Sequence, residues 1–353
     1  MPAETPSPET LRILDASLNR ALEGLRVVED YLRFVLEDRH LTEICKRIRH
    51  ELVISLACFD MRQLHRARDT IDDVGVHVET DQEYLRDSVS SVVSASLKRV
   101  QQSLRCLEEY VKLNDIAASR TLEQLRYRTY TLEKAISVRG VALQKLGDVR
   151  LYVLVDSMQS PQQFSARVRS IVKAGVDVIQ LRDKDNGQSD RELLESGHIL
   201  REACCDTPTL FVMNDRPDLA YCVGADGVHL GQGDMPIKEA RRIVGTSTFI
   251  GISTHNLAQA QGAVSAGADY IGVGPVFLSR TKHFDEFPGL ELLREVSDNI
   301  SLPIFAIGGI DRHNLADVLS TGVTRVAVSS AVMLAADPAA EVLQLRSILT
   351  EES

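Results

Sequence analysis

The chain has 353 residues, a length that favours two domains over one, and a formal net charge of -10, which argues against a general nucleic-acid-binding protein. No stretch approaches the roughly 18 uninterrupted apolar residues of a membrane span, and MPAETPSPET lacks the basic start and apolar core of a signal peptide. The six cysteines have no CxxC spacing, so neither a zinc site nor a disulfide framework is indicated. We therefore expect a cytoplasmic protein that binds neither nucleic acid nor membrane.

The first part of the chain has the pattern of helices. Residues 1–10 are rich in Pro and Ser and predict a disordered tail. Residues 11–140 contain three glycines, and their apolar residues recur every three and four positions, which predicts an all-α domain. Residues 141–146 are then a linker to a second domain, 147–353.

The helical part also repeats itself. SLNRALEGLRVVEDY (17–31) aligns with SLKRVQQSLRCLEEY (96–110) at an offset of 79, with seven of fifteen positions identical. Any two Leu/Arg/Glu helices look alike to some degree, but here the arginines and the closing tyrosines keep register too. This pattern predicts a duplicated helical hairpin. Between the copies, Gly75 predicts a turn.

Beyond residue 140 the sequence alternates short β-branched runs with helical patterns. The predicted strands are Leu151–Val155, Val176–Leu181, Leu210–Met213, Gly227–Leu230, Phe249–Ser253, Tyr270–Val273, Pro303–Ile307 and Arg325–Val328. A helix is predicted after each, the last from Pro338 to about Leu349. A doubly wound open sheet is the competing architecture. Eight evenly spaced units without a dinucleotide fingerprint favour a (β/α)8 TIM barrel, so the fold class is α/β with an all-α domain ahead of the barrel.

Polar residues end the second predicted strand. In VDVIQLRDK (176–184), Gln180, Arg182 and Lys184 share one face. If that face is the barrel interior, the three side chains meet at the C-terminal mouth, where these barrels carry their chemistry. The alternative is a strand that runs into a solvated charged turn.

The next strand ends predict a metal site. Asp215 follows strand three after Asn214, and Asp234 follows strand four. Two carboxylates at neighbouring strand ends, with phosphate oxygens and water, suit Mg²⁺. Either Asp alone would more often be a helix cap or a turn residue. Ser253 ends strand five and predicts a site hydroxyl, a helix N-cap, or both.

The last strand ends predict phosphate sites. GVGPVF leads into Ser279, Arg280, Thr281 and Lys282, and Gly272 and Gly274 suggest a loop that closes over a substrate. Gly309 follows strand seven, and Ser329–Ser330 follow strand eight, where such barrels commonly bind a phosphate. The mouth thus offers one anion site with metal and one without. Because no Cys–His or Ser–His–Asp set is apparent, we expect electrostatic stabilisation of a leaving pyrophosphate, with two phosphorylated small molecules as substrates.

The ordered motifs QLRDK, MNDRPDLA, GADGVHLGQGD, IGISTH, GVGPVF…SRTK and AIGGI resemble those of the thiamine-phosphate synthase family. The resemblance covers about residues 147–349. It implies a Mg²⁺-dependent transferase that joins 4-amino-2-methyl-5-hydroxymethylpyrimidine diphosphate to 4-methyl-5-hydroxyethylthiazole phosphate and releases pyrophosphate.

The resemblance also implies roles for individual residues. The pyrimidine diphosphate would contact Gln180, Leu181, Arg182, Asp183, Lys184, Asn214, Ser253 and Lys282. Five of these, Arg182, Lys184, Asn214, Ser253 and Lys282, would be catalytic. Asp215 and Asp234 would bind Mg²⁺. The thiazole phosphate would contact Ser279, Arg280, Thr281, Gly309, Ser329 and Ser330. Ser279 replaces a Thr of the family pattern, and Ser329 stands where an aliphatic residue is expected, so its contact would be through the backbone.

The N-terminal part resembles the helical domain fused ahead of some synthases, on LDASLNRALEGLRVVEDY and SLKRVQQSLR. That resemblance implies phosphorylation of the pyrimidine monophosphate. With no Walker-type loop, the phosphates of ATP would need Arg20, Arg26, Arg99 and Arg105. Alternatively these arginines pair with Glu29 and Glu108, and the domain is structural or mediates a homo-oligomer.

Two other functions remain for the whole chain. A thiazole tautomerase or another phosphate-binding barrel isomerase would not need the pyrophosphate-binding residues. A non-catalytic scaffold of the thiamine pathway would be expected to lack Asp215, Asp234 or Lys282, and all three are present.

Overall fold

The computed structural model describes residues 6–68, 86–157, 160–183, 187–277 and 289–351, without the side chains of 138–144 and 351. The chain divides into two compact units, Met1–Ile136 and Ser137–Ser353. Within the described residues, no helix is long and apolar enough to cross a membrane.

The first unit is helical, as predicted. Its elements are α1 (Pro8–Phe34), α2 (Arg39–Ser55), α3 (Met61–Ala67), α4 (Val89–Val111) and most of α5 (Ile116–Leu146). The short α3 was not predicted, because its seven residues are too few to show a periodic apolar stripe. The linker predicted at 141–146 lies in the last turns of α5, and the predicted turn at Gly75 lies outside the described residues.

Helix α1 begins inside the predicted disordered tail. The side chain of Ser7 accepts a hydrogen bond from the N–H of Thr10, Pro8 occupies the first turn, and Glu9 lies near the positive end of the helix dipole. The Ser-Pro-Glu sequence that suggested disorder is therefore a helix start. Residues 8–10 belong to the domain.

The two repeated segments occupy corresponding places. Leu14, Leu18, Ala21, Leu25 and Val28 are buried in α1, and the residues 79 positions later in α4 are buried too: Val93, Leu97, Val100, Leu104 and Leu107. The two helices approach closely at Gly24, where a Cβ would lie 2.6 Å from Cγ2 of Val100. Each of the two helices is followed by a short connection and a second helix, and the duplicated hairpin stays a prediction.

The second unit contains a closed barrel of eight parallel strands in chain order, which confirms the predicted fold class. The strands are β1 (Leu151–Val155), β2 (Val178–Leu181), β3 (Leu210–Asn214), β4 (Gly227–Leu230), β5 (Phe249–Thr254), β6 (Tyr270–Val273), β7 (Ile304–Ile307) and β8 (Val326–Val328). The described helices are α6 (Pro161–Lys173), α7 (Asp190–Cys204), α8 (Pro217–Val223), α9 (Ile237–Val244), α10 (Leu257–Ala266), α11 (Gly289–Asn299), α12 (Leu315–Leu319), α13 (Ser330–Met333) and α14 (Pro338–Glu351). Each strand begins and ends within two residues of its predicted position.

Aromatic side chains fill the barrel interior. The rings of Tyr152 and Tyr270 each meet Phe305 edge to face, with centroids 5.3 Å apart in both pairs. Phe249 and Val178 belong to the same buried cluster. These rings belong to a packed core, and Tyr152, Tyr270 and Phe305 also line the open space at the C-terminal end of the barrel.

A Gly-x-Asp sequence precedes alternate strands, and its Asp links neighbouring strands at the N-terminal end of the barrel. Asp177, Asp226 and Asp269 each accept backbone N–H groups of the preceding strand, and each pairs with a guanidinium. The partner arginines are Arg346, Arg201 and Arg241, in that order. The carboxylates thus satisfy strand ends that would otherwise lose hydrogen bonds.

Candidate active site

A cavity of about 440 Å³ opens at the C-terminal mouth of the barrel. Residues from all eight strands or the turns after them line it, because every parallel strand ends at this rim. This is the position predicted from the sequence for the site.

Strand β2 contributes two of the predicted residues to the cavity. Gln180 and Arg182 line it, whereas Leu181 between them is buried on the opposite face at 1% exposure. Asp183 accepts hydrogen bonds from the backbone and side chain of Ser157 in the turn after β1. Lys184 lies outside the described residues. Two of the three residues predicted on this strand face therefore line the cavity, and their role stays a prediction, whereas Leu181 and Asp183 are directed elsewhere.

The two candidate metal ligands line the same cavity. Asp215 has φ of 60°, a left-handed conformation that Asp tolerates better than most residues, and its N–H donates to the carbonyl of His229. Asp234 accepts the N–H of Gly231 at 2.6 Å. Asn214, at the end of β3, also lines the cavity. Among the described residues, no group of three or more His, Cys, Asp or Glu side chains could hold a metal ion.

Ser253 faces the cavity from β5. The N-cap of the following helix α10 is Asn256, whose side chain accepts the N–H of Gln259 at 2.9 Å. The capping alternative for Ser253 is therefore wrong, and its hydroxyl is available to the cavity.

The segment after β6 is anchored before it leaves the described chain. Gly272 lies within β6, and Gly274 packs so closely that a Cβ would lie 2.0 Å from the carbonyl oxygen of Ile307. These two glycines thus serve strand structure and close packing rather than a flexible loop. The N–H of Phe277 donates to Gly308 at 2.9 Å. The predicted loop residues Ser279, Arg280, Thr281 and Lys282 lie outside the described residues.

The turns after β7 and β8 meet on the other side of the cavity. Gly309, Ser329 and Ser330 all line it. Gly308 has φ of 107°, and a Cβ there would lie 2.8 Å from Cα of Pro275, so only glycine fits. The side chain of Asn314 donates to the carbonyl of Gly309 at 2.8 Å and fixes this turn. The predicted metal-free anion site is therefore a region of close backbone approach.

Charge is unevenly distributed over the described part of the cavity wall. Asp156, Asp215 and Asp234 contribute carboxylates, and Arg182 contributes a guanidinium. Carboxylates at a site for a phosphorylated substrate require cations between the like charges.

Sequence reasoning missed three residues that line the cavity, Tyr152, His229 and Tyr270. Nε2 of Gln180 donates to the hydroxyl of Tyr152 at 2.7 Å, and that hydroxyl lies 3.1 Å from the hydroxyl of Tyr270. The Tyr270 oxygen lies 2.9 Å from Nδ1 of His229, and Nε2 of His229 lies 2.9 Å from Oγ of Ser253. One hydrogen-bonded chain therefore crosses the barrel from β2 to β5.

Burial keeps the phenols of this chain protonated. Desolvation raises the pKa of Tyr152 and of Tyr270 above the usual value, so both hydroxyls remain donors. The signal in the sequence was strand alternation: Tyr152 and His229 share the inward face with Leu154 and Gly231.

In the helical unit, two of the four arginines considered for ATP phosphates are ion-paired. Arg26 contacts the buried Glu29 at 3.3 Å, and Arg105 contacts the buried Glu108 at 2.6 Å. Arg20 and Arg99 are exposed.

Fold and site together define a (β/α)8-barrel enzyme with its polar cavity at the C-terminal mouth. The family model described as thiamine monophosphate synthase matches residues 151–332, and the model described as the ThiD2 family matches residues 12–135.

Known proteins resemble the chain over most of its length. A thiamine-phosphate synthase of Synechocystis sp. is 44% identical, with 96% of each chain covered. One of Rhodopirellula baltica is 42% identical, with 92% of this chain and 89% of that protein covered. The solved thiamine phosphate pyrophosphorylase of Pyrococcus furiosus is 38% identical with a TM-score of 0.52, over 58% of this chain and 96% of that one. The chain belongs to the thiamine-phosphate synthase family and is a transferase of thiamine biosynthesis.

Proposed function

We propose that the protein condenses 4-amino-2-methyl-5-hydroxymethylpyrimidine diphosphate with 4-methyl-5-hydroxyethylthiazole phosphate to give thiamine phosphate and pyrophosphate. The observation that carries the proposal is the two-sided cavity. Arg182, Asp215 and Asp234 line it together with the Gly309 and Ser329–Ser330 turns, so two phosphorylated molecules can be bound in one space. Relatives that match almost the whole chain bear the corresponding name.

The chemistry follows a dissociative path. The bond between the pyrimidine methylene carbon and the diphosphate oxygen breaks, and its electron pair leaves with pyrophosphate. The lone pair of the thiazole nitrogen then forms the new C–N bond to the cationic carbon. Fixed charges at the site and alignment of the two reactants accelerate both steps. Arg182, with Lys184 and Lys282, stabilises the leaving diphosphate, and Asn214 and Ser253 orient the pyrimidine.

Mg²⁺ suits the residues present at the diphosphate side. Asp215 and Asp234 supply two oxygen-bearing carboxylates at one cavity, and this donor set is what Mg²⁺ takes when phosphate oxygens and water complete its coordination. The ion would offset negative charge on the leaving group. The residues of this chain bind both substrates and exclude water.

The second anion site would hold the thiazole phosphate. Gly309, Ser329 and Ser330 form its described wall, and Ser279, Arg280 and Thr281 are assigned to it by the family resemblance. Close backbone approach at glycine and the serine hydroxyls suit a phosphate without a metal. Leu181 and Asp183 contribute by holding β2 and its turn.

A kinase activity of the helical unit is a second candidate, favoured by its match to the ThiD2 family over residues 12–135. Arg26 and Arg105 form ion pairs with Glu29 and Glu108. The phosphates of ATP would therefore bind exposed groups such as Arg20 and Arg99. A structural role or assembly into a homo-oligomer remains the alternative for this unit. The cytoplasmic location remains a prediction.

Pyrophosphate release by the full-length protein tests both functions. Release should require the pyrimidine diphosphate, the thiazole phosphate and Mg²⁺ together. If the helical unit is a kinase, the pyrimidine monophosphate with ATP should replace the diphosphate. Release without the thiazole phosphate would indicate a hydrolase and would contradict the condensation. Isomerisation of a thiazole without pyrophosphate release would support the tautomerase alternative instead.

A further inference from the structure

The hydrogen-bonded chain that lines the cavity contains a histidine and two tyrosines to which the mechanism gives no role. The members in order are Gln180, Tyr152, Tyr270, His229 and Ser253, with each link between 2.7 and 3.1 Å. Its two ends, Gln180 and Ser253, are the residues assigned to the pyrimidine. The three middle residues connect them across the barrel.

The Gln180 amide sets the direction of the other bonds in the chain. The Gln180 amide nitrogen can only donate, so the Tyr152 oxygen accepts and its own hydrogen is directed to Tyr270. Tyr270 in turn donates to Nδ1 of His229. Since Nδ1 accepts, the ring proton of His229 is on Nε2 and is donated to Ser253.

The two ends of the chain face the cavity with opposite hydrogen-bonding character. Oε1 of Gln180 is buried and has no hydrogen-bond partner among the described residues, so an acceptor is left for a ligand. Ser253 accepts from His229, which leaves its own hydrogen to be donated into the cavity. An aminopyrimidine has complementary groups: an exocyclic N–H donor and ring-nitrogen acceptors.

We propose that His229 is a positioning residue, held as the Nε2–H tautomer by Tyr270 and Tyr152, which makes Ser253 a donor and Gln180 an acceptor toward the aminopyrimidine. The assignment of the ligand rests on the proposed function. The tautomer and the direction of the bonds rest on the Gln180 amide, whose Nε2 donates to Tyr152, and on the distances along the chain. Orientation of the pyrimidine by these two ends would align its methylene carbon with the thiazole nitrogen.

Nitrogen NMR of full-length protein with labelled histidine tests the tautomer directly. The His229 resonances are assigned by their loss in His229→Gln. The proposal predicts a protonated Nε2 and an unprotonated Nδ1 in the wild-type protein. A protonated Nδ1 would overturn it, because the hydrogen bond to Tyr270 would then run in the opposite direction.

Kinetics of phenylalanine variants test the consequence. Tyr270→Phe removes the donor to His229, so both tautomers become populated and kcat should fall about tenfold, the effect of losing one buried hydrogen bond. KM for the thiazole phosphate should not change. Tyr152→Phe should raise KM for the pyrimidine diphosphate, since Gln180 loses its partner. Tyr221→Phe is the matched control, because Tyr221 is 69% exposed on α8.

Two substitutions of the histidine separate positioning from packing. Gln at position 229 can place an amide N–H near the position of Nε2 and donate to Ser253, whereas Ala cannot. His229→Gln should therefore retain more kcat than His229→Ala. Equal kcat in the two variants, or unchanged kinetics in Tyr270→Phe, would contradict the proposal. Failure of the proposed function can be distinguished from failure of this proposal. If the proposed function is wrong, the wild-type protein shows no turnover, whichever tautomer of His229 the NMR spectrum reports.

Discussion

The ring of Tyr270 occupies the space that a side chain at position 251 would need. The two residues are paired across β5 and β6, and a Cβ at Gly251 would lie 1.9 Å from Cζ of Tyr270. Gly227 and Phe249 have the same relationship across β4 and β5, with 2.2 Å between the Cβ position and Cε2. The absence of a side chain on one strand thus makes room for an aromatic ring on the next.

Gly251→Ala should therefore damage both stability and catalysis. The methyl group must displace Tyr270, and such overpacking typically costs about 1–3 kcal/mol of unfolding free energy. The displacement also separates Tyr270 from His229. Urea unfolding with parallel activity measurements checks this. Gly262→Ala on α10 is the control, since a Cβ there meets nothing within 4 Å, and an equal loss in both variants would contradict the steric account.

Asp215→Asn should lower turnover and raise the Mg²⁺ concentration required for it. The amide keeps the shape of the side chain but removes one of two carboxylates, and a lost charged interaction is worth about 10–100-fold. The measurement is kcat as a function of Mg²⁺ concentration. Asp218→Asn is the control, because that side chain is 51% exposed and pairs with Arg216. Unchanged Mg²⁺ dependence in Asp215→Asn would reject the metal assignment.

The barrel could be predicted because each of its strands carries a local signal. Runs such as LYVLV and FIGIS are short, β-branched and bounded by glycine or polar residues, and alternation alone placed Gln180 and Arg182 on the inner face. The contacts of Tyr152, Tyr270 and His229 could not be predicted in the same way. Their partners lie on strands far apart in the chain, and only closure of the barrel brings them together.

Errors at the helix termini have local causes. The tail was predicted from composition, whereas the capping geometry of Ser7 and Pro8 determines where α1 begins. Its residue type and its place before a helix make Ser253 a candidate cap. The hydrogen bond from the N–H of Gln259 to Oδ1 of Asn256 shows that Asn256 is the cap. Positions within one turn of a helix end thus depend on hydrogen bonds rather than on residue type.

Asp269 should contribute to stability in a pH-dependent way. Desolvation by burial raises the pKa of this carboxyl above its usual value, against the opposing effect of Arg241. Because the folded state then binds a proton more readily than the unfolded state, the contribution is present at low pH and is lost as pH rises through the raised pKa. The deficit in unfolding free energy of Asp269→Asn should consequently be larger at acid pH than at neutral pH. Denaturant unfolding at several pH values measures it, and a deficit that grows toward neutral pH would contradict the account.

Glu108 should stabilise the helical unit. Its buried carboxylate is bound by Arg105 at 2.6 Å and by the largely buried Arg126 at 2.9 Å. Removal of one partner from a buried ion pair leaves the other charge uncompensated and costs about 3–5 kcal/mol. Glu108→Ala should lower the unfolding free energy by about this amount, measured by helical circular dichroism in urea. Glu109→Ala is the neighbouring control at 43% side-chain exposure, and an equal effect in both variants would show that burial is irrelevant.

The most direct test of the central claim is identification of the reaction product by mass spectrometry. Full-length protein is incubated with the pyrimidine diphosphate, the thiazole phosphate and Mg²⁺, and compared with the Asp215→Asn variant. The account predicts thiamine phosphate and pyrophosphate in equal amounts, formed much more slowly by the variant. Consumption of the diphosphate without thiamine phosphate, or no consumption at all, would contradict it.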